Sequence, residues 1–349
     1  MESPFLLARF HSVFGNRFWF LVEDVDLKEK IETMAVTGSF NYWAPGAAWQ
    51  MRREGERKWI LDVPLGRIEA PGNSGYPEYQ FLINGIEVMG ANYFPEEPRI
   101  GNNFLIVPHQ DKESWKHRSE ELLVPRTGNG ASWLSNFRQI SGGTLAQGIL
   151  YRSSHPFLSA LPDSREAARK TAVQRLWKEH HINRVINLAD GEGVLFDPEC
   201  TKEYLLSGRD GKVLFIPADY TTVYYHSRGN LFLAMMGQIL EYISLGGGPW
   251  VVHCRLGIDR TGVTSAILQA LTGSLWKDIT NDYSDTMGFG PREYRHKNLL
   301  AYSFSRLLGQ DPMQIHDLQS ETGKALARSV TSKEILVKAV ENLSRKPNT

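Results

Sequence analysis

The stretch Pro249-Trp-Val-Val-His-Cys-Arg-Leu-Gly-Ile-Asp-Arg-Thr-Gly-Val-Thr-Ser-Ala-Ile-Leu-Gln-Ala270 decides how the chain is read. Its apolar run Trp250-Val251-Val252 predicts a short buried strand. A tight loop from Cys254 to Arg260 follows, and Thr261 to Leu271 carries apolar residues at helical spacing. A strand, a turn and a helix N-terminus make an anion site, because loop amides point inward and the helix dipole adds partial positive charge. A cysteine in such a loop ionises readily, since its thiolate is itself the anion being stabilised. Arg260 adds a planar fork of donors suited to a tetrahedral oxyanion. A nucleophile and a phosphate clamp in one loop point to phosphoryl transfer through a covalent intermediate.

The spacing Cys-x5-Arg alone is weak; its surroundings give it weight. His253 precedes the cysteine, Gly257 permits close backbone approach, and Thr261-Gly262 opens the helix. Together these resemble the phosphate loop of cysteine-dependent protein tyrosine and dual-specificity phosphatases, His-Cys-x5-Arg-Ser/Thr. The resemblance implies that Cys254 is the nucleophile. It also implies that the loop residues Arg255, Leu256, Gly257, Ile258, Asp259 and Arg260 surround the phosphate. The bland alternative is a buried cysteine at a strand end.

Composition sets the bounds. The 349 residues suffice for two domains, and 39 acidic residues balance 39 basic ones, so nothing global calls for nucleic acid or a membrane surface. Two cysteines, Cys200 and Cys254, exclude a disulfide framework and suit a reducing compartment. No apolar stretch has the length of a membrane span, and the first ten residues lack the pattern of a signal peptide. The expectation is a cytoplasmic protein, with export as a bacterial effector without a cleavable signal as the alternative. No cluster of His, Cys and acidic residues has metal-ligand spacing, so neither metal nor cofactor is expected.

Residues 1–108 predict an all-β module. Strand candidates are Phe18–Val22, Ala35–Thr37, Trp59–Val63, Tyr79–Ile83 and Phe104–Val107, separated by turns such as Ala44-Pro45-Gly46 and Pro71–Gly75. Asn84-Gly85 is a hairpin signal, because both turn positions favour positive φ. Gly38-Ser-Phe-Asn-Tyr-Trp43, Tyr79-Gln-Phe-Leu-Ile-Asn-Gly85 and Gly101-Asn-Asn-Phe104 resemble the early-set immunoglobulin-like sandwich of glycogen-binding modules. That resemblance implies that Trp43 stacks on a sugar. Two departures weaken it: Gln80 stands where the binders place a lysine, and Glu87 or Val88 where they place a second tryptophan. Weak glycan binding or protein docking is the expectation, with Trp43 as a packing residue the alternative.

Residues 109–132 read as a linker, with a short helix in the first half. Residues 133–310 predict an α/β domain with a central, largely parallel sheet. Its strands are Ile149–Tyr151, Arg184–Leu188, Lys212–Pro217 and the nucleophile strand; its helices include Ala167–His180 and Asn230–Leu245. Asn136-Phe-Arg-Gln-Ile140 and Gly148-Ile-Leu-Tyr-Arg-Ser-Ser-His-Pro156 resemble the opening of atypical dual-specificity phosphatases and related bacterial tyrosine phosphatases. Residues 311–349 form a tail with a helix over Ser332–Leu343, capped by Thr331 or Ser332 and packed on the catalytic domain.

Ester cleavage needs a proton for the leaving oxygen. The resemblance places that acid on a loop after an earlier strand, where Asp219 stands. Asp259 is the competitor: the sequence Gly-Ile-Asp-Arg-Thr resembles bacterial tyrosine phosphatase and phytase-like loops, and this carboxylate either braces Arg260 or is the acid itself. His253 is expected to buttress the cysteine, Thr261 to donate to the departing thiolate, and Cys200 to be structural. Arg255 at the loop mouth either favours polyanions or makes a surface ion pair. The implied substrate is a phosphomonoester, first phosphotyrosine in protein. Phosphorylated glucan, phosphoinositide and inositol phosphate are alternatives, as is a non-catalytic phosphate-reading module.

Overall fold

The computed structural model describes residues 5–14, 17–27, 30–68, 78–88, 103–104, 130–160, 165–285, 297–330 and 332–347. The chain divides into two units, Met1–Leu122 with Arg292–Tyr302, and Leu123–Pro291 with Ser303–Thr349.

In the first unit, β1 (Phe5–Phe14), β2 (Arg17–Leu27), β4 (Arg52–Arg53) and β5 (Lys58–Pro64) form an antiparallel sheet of order β1-β2-β5-β4. A second antiparallel sheet holds β3 (Met34–Gly38), β6 (Glu78–Ile83) and β7 (Ile86–Val88), with β8 (Asn103–Phe104) paired to β6. Side chains alternate across a strand, so every second residue enters a shared core. Phe18, Phe20 and Val22 of β2 and Trp59, Leu61 and Val63 of β5 meet Met34 and Val36 of β3 and Tyr79, Phe81 and Ile83 of β6. Phe20 meets Tyr79 edge to face at 5.1 Å. The Asn84-Gly85 turn has φ of 50° and 80° and joins β6 to β7, as its residue types require. The sequence reading omitted β1. The Pro71–Gly75 turn, residues 105–107 of the last strand candidate, and the proposed linker helix lie outside the described residues.

In the second unit, β9 (Arg138–Gln139), β10 (Leu150–Ser153), β11 (Arg184–Asn187), β12 (Val213–Phe215) and β13 (Trp250–His253) form a sheet of order β12-β11-β13-β10-β9. All pairings are parallel except the β9 edge. Every residue of β10 and β13 is buried, Arg152, Ser153 and His253 included, which is why neither strand shows an apolar–polar alternation. β13 is central, and the parallel strands all end on one side, where α/β sheets bind ligands. The helix after β13 begins at Asp259, two residues before the sequence reading places it, and is buried from Thr261 to Leu271. The tail helix Lys333–Ser344 follows Ser332 and packs through Ala339 and Leu343. Nδ2 of its Asn342 donates to the carbonyl oxygens of Ile243 and Ser244, both at 3.0 Å, capping the helix Asn230–Ser244. Thr331 lies outside the described residues. Among the described residues no helix is long and apolar enough to cross a membrane.

Candidate active site

Cys254 follows β13 and is 2% exposed. The chain turns at Gly257, whose φ is +73°; a Cβ there would stand 2.3 Å from the carbonyl oxygen of Ser153, so the turn admits only glycine. The carbonyls of this loop are tied outward one after another. Arg255 O accepts from the amide of His155 at 3.0 Å. Leu256 O and Gly257 O accept from Asn136 Nδ2 at 3.1 and 2.9 Å, and Gly257 O also accepts from Arg152 Nη2 at 2.9 Å. Ile258 O accepts from the amide of Gly262 at 2.8 Å. A planar peptide points its N–H opposite its C=O, so these bonds turn the amides of Leu256, Gly257, Ile258 and Asp259 to the inner side. Those of Leu256, Gly257 and Ile258 donate to no other group among the described residues. Such a ring of amides at a helix N-terminus is a cradle for an oxyanion.

The ties are themselves braced. Arg138 donates to Asn136 Oδ1 at 2.7 Å and to Asp282 Oδ1 at 2.9 Å, and Arg152 donates to Asp282 Oδ2 at 2.7 Å. Burial pushes the Asp282 carboxyl up, but Arg152 and Arg138 outweigh it and hold it below the usual range. Burial and the Arg152 charge push Arg138 down to about 10, against the pull of Asp282, so it stays charged at neutral pH. Arg260 Nη1 donates to Leu188 O at 3.0 Å and Ala218 O at 3.1 Å, just beyond the ends of β11 and β12. One arm of the guanidinium is thereby fixed against two strand ends.

A sequence model of the tyrosine phosphatase family matches residues 132–332. That is more than half of the 349 residues. The chain belongs to the tyrosine phosphatase family. Membership carries the coarse activity, that of a cysteine-dependent phosphatase. Among solved structures, the core catalytic domain of the PP-IP phosphatase SIW14 from S. cerevisiae, in complex with citrate, is similar at 16% identity with a TM-score of 0.28, over 48% of this chain and 83% of that one. At that score the likeness decides nothing about fold or substrate. No curated protein matches the chain.

In the phosphatase unit, Asp219 is exposed and adjoins Ala218, the residue that holds Arg260. Asp259 is half-buried in the first helical turn, and its Oδ1 accepts from the Tyr224 hydroxyl at 3.0 Å. That hydroxyl lies 2.7 Å from the hydroxyl of Tyr283. Arg255, within the loop, is exposed. His253 is fully buried and its Nε2 lies 3.3 Å from the Tyr204 hydroxyl; burial drives its pKa well below the ordinary value, so it is neutral. Thr261 Oγ1 is buried without a hydrogen-bond partner among the described residues. Cys200 packs beside the Tyr204 and Phe215 cluster, and burial together with Asp197 pushes its thiol up. Trp43, in the other unit, is only 6% exposed.

Sequence reasoning missed Asp282, His155 and Asp190. The first lies on the helix Trp276–Asp285, remote in sequence from everything it touches, and no local pattern marks it. His155 falls inside a quoted segment, but only tertiary contact reveals its role.

Proposed function

We propose that the second unit hydrolyses phosphomonoesters, with phosphotyrosine in protein as the leading substrate. The observation that carries this reading is the buried Cys254 at the base of a loop whose Arg255, Leu256, Gly257 and Ile258 carbonyls are held outward, with Arg260 at its rim. The Cys254 thiolate attacks phosphorus while inward amides and Arg260 hold the equatorial oxygens. The ester P–O bond breaks and Asp219 gives its proton to the leaving oxygen. Water then attacks the cysteinyl-phosphate, Asp219 takes a proton from it, and the P–S bond breaks. Thr261, whose hydroxyl is buried and uncommitted, donates to the departing thiolate. His253 stays neutral and supports the loop base from below through Tyr204.

Exposed Arg255 supports a second substrate class, the inositol phosphates and phosphoinositides, because a cation at the mouth favours a second phosphate. Residues 1–108 are proposed as an immunoglobulin-like docking module, joined through residues 109–132 to a catalytic domain over 133–310 and a helical tail.

The decisive experiment is Cys254→Ser. It should abolish aryl phosphate hydrolysis, trap phosphorylated substrate and still bind phosphate analogues, while vanadate inhibits the wild type and EDTA does not. Activity that survives the substitution, or that needs a divalent metal, rules the mechanism out. A wild type that binds phosphate analogues without turnover points to the phosphate-reading module.

A further inference from the structure

His253 precedes the nucleophile, Arg255 follows it, and a chain of buried polar contacts joins the two around the outside of the loop. Asn187, the last residue of β11, stands in register with His253. Its Nδ2 donates to the Tyr204 hydroxyl at 3.0 Å, and that oxygen lies 3.3 Å from His253 Nε2. Because the amide already supplies a proton to the tyrosine oxygen, the hydroxyl hydrogen is free for His253. Asn187 Oδ1 accepts the amides of Ala189 at 2.8 Å and Asp190 at 3.2 Å, folding the residues after β11 into a turn. Asp190 Oδ2 then lies 3.1 Å from His155 Nε2. Both atoms are closed off from water; their contact is within ion-pair distance but outside hydrogen-bond geometry, and neither has another hydrogen-bond partner among the described residues. The amide of His155 completes the path by donating to Arg255 O.

The proton on His155 can be assigned. Its Nδ1 accepts the amides of Phe157 at 3.3 Å and Leu158 at 3.0 Å, so it carries no hydrogen. Burial lowers the pKa of the ring despite Asp190, so the neutral ring bears its hydrogen on Nε2, facing Asp190. Burial pushes the Asp190 carboxyl up, but His155, Arg255 and Arg260 together hold it below the usual range. Asp190 is thus ionised and faces the Nε2–H of a neutral His155. Without that carboxylate the buried N–H faces no acceptor at all, and the ring must turn to find one. Turning it releases the amides of Phe157 and Leu158 and disturbs the backbone donor that orients the Arg255 peptide.

We propose that Asp190, acting through His155, is a positioning residue for the phosphate loop, fixing the Arg255 peptide and so the direction of the Leu256 amide. The assignment rests on Cys254 being the nucleophile. It demands an acceptor oxygen at position 190 rather than a charge.

The test compares Asp190→Ala, Asp190→Asn and the Cys254→Ser control, reading aryl phosphate kinetics and the inhibition constant for vanadate. Asp190→Ala should lower kcat/KM about tenfold, the scale of one unsatisfied buried donor, and raise the vanadate constant by a similar factor. Asp190→Asn, which keeps an oxygen for His155, should stay within about threefold of wild type. A merely smaller folded fraction lowers kcat but moves neither KM nor the vanadate constant. An unchanged vanadate constant in Asp190→Ala overturns the assignment, as does an Asn variant as impaired as the Ala variant, with Cys254→Ser inactive in both cases. A Cys254→Ser protein that still turns over removes the nucleophile and overturns both readings.

Discussion

Arg152 donates through Nη1 to Asp282 Oδ2 at 2.7 Å, and the arginine is fully buried. The same guanidinium holds Gly257 O through its other arm, so the aspartate's charge reaches the phosphate loop through one side chain. Asp282 also receives Arg138, which braces Asn136, the second holder of loop carbonyls. One carboxylate therefore neutralises the fully buried Arg152 and the half-buried Arg138 and fixes both loop anchors. Removing it leaves those charges uncompensated, and breaking a buried pair from one side costs about 3–5 kcal/mol. Asp282→Asn should lower the urea unfolding free energy of the phosphatase unit by an amount in that range and depress aryl phosphate turnover further than the lost folded fraction explains. An unfolding midpoint equal to that of wild type would show that this carboxylate does not carry the network.

The two buried histidines beside the loop set an acid limit on stability. His253 and His155 are neutral in the fold because burial lowers their pKa values. In the unfolded chain each titrates near about 6.5. Below that pH the unfolded state binds protons that the native state refuses, so stability falls as pH falls. Each fully excluded histidine contributes a slope of about 1.4 kcal/mol per pH unit until its folded pKa is reached. Asp282 and Asp190, with lowered folded values, add loss in the same direction as pH falls through their own lower range. Urea midpoints measured at descending pH should drop from neutral toward pH 5, and His253→Gln should flatten part of that slope. A midpoint independent of pH in this window contradicts the neutral assignment.

How much was legible follows the range of each interaction. The phosphate loop is contiguous, and its strand, glycine turn and helix start are written in one run of residues. Short apolar stretches reveal β13, the middle of β11 and the start of β10, and Asn84-Gly85 fixes its hairpin through φ alone. Charged residues mislead because sequence assigns them to water. Arg169 lies on the helix Glu166–Glu179 yet is fully buried, bonded to Ser154 Oγ and Leu158 O at 2.8 Å and to Glu166. Such groups become visible only once their partners, distant in the chain, converge. β1 was missed for a related reason: Arg9 and His11 interrupt the run Phe5–Phe14, and only pairing with β2 identifies it as a strand.

The first unit should bind glycan weakly or not at all. Sugar stacking needs an open aromatic face, and Trp43 is 6% exposed, with its amide bonded to Gly38 O at 2.8 Å and a φ of 59°. Co-sedimentation with glycogen or amylose should leave the protein in solution, and Trp43→Ala should lower stability rather than glycan affinity. Tight co-sedimentation abolished by that substitution would reverse the reading and promote phosphorylated glucan as substrate.

The choice of general acid turns on how the two candidate carboxylates are held. Asp259 is tied to the Tyr224 hydroxyl and sits in the first turn of its helix. A carboxylate whose oxygen is already committed to a fixed donor is poorly placed to reach a leaving group. Asp219 is exposed, on the segment whose Ala218 carbonyl receives Arg260, so it stands beside the clamp. Loss of a general acid costs about 10²–10⁴ in rate, chiefly for leaving groups that need protonation. Asp219→Asn should therefore slow phosphotyrosine hydrolysis strongly, slow an activated aryl phosphate little, and flatten the alkaline limb of the pH–rate profile. Asp259→Asn should slow both substrates by similar factors, because it disturbs a helix start that both share, and Tyr224→Phe should mimic it in part. If leaving-group dependence and the pH effect instead follow Asp259, the proton comes from within the loop. The Tyr224 hydroxyl would then be the group that holds that acid in place.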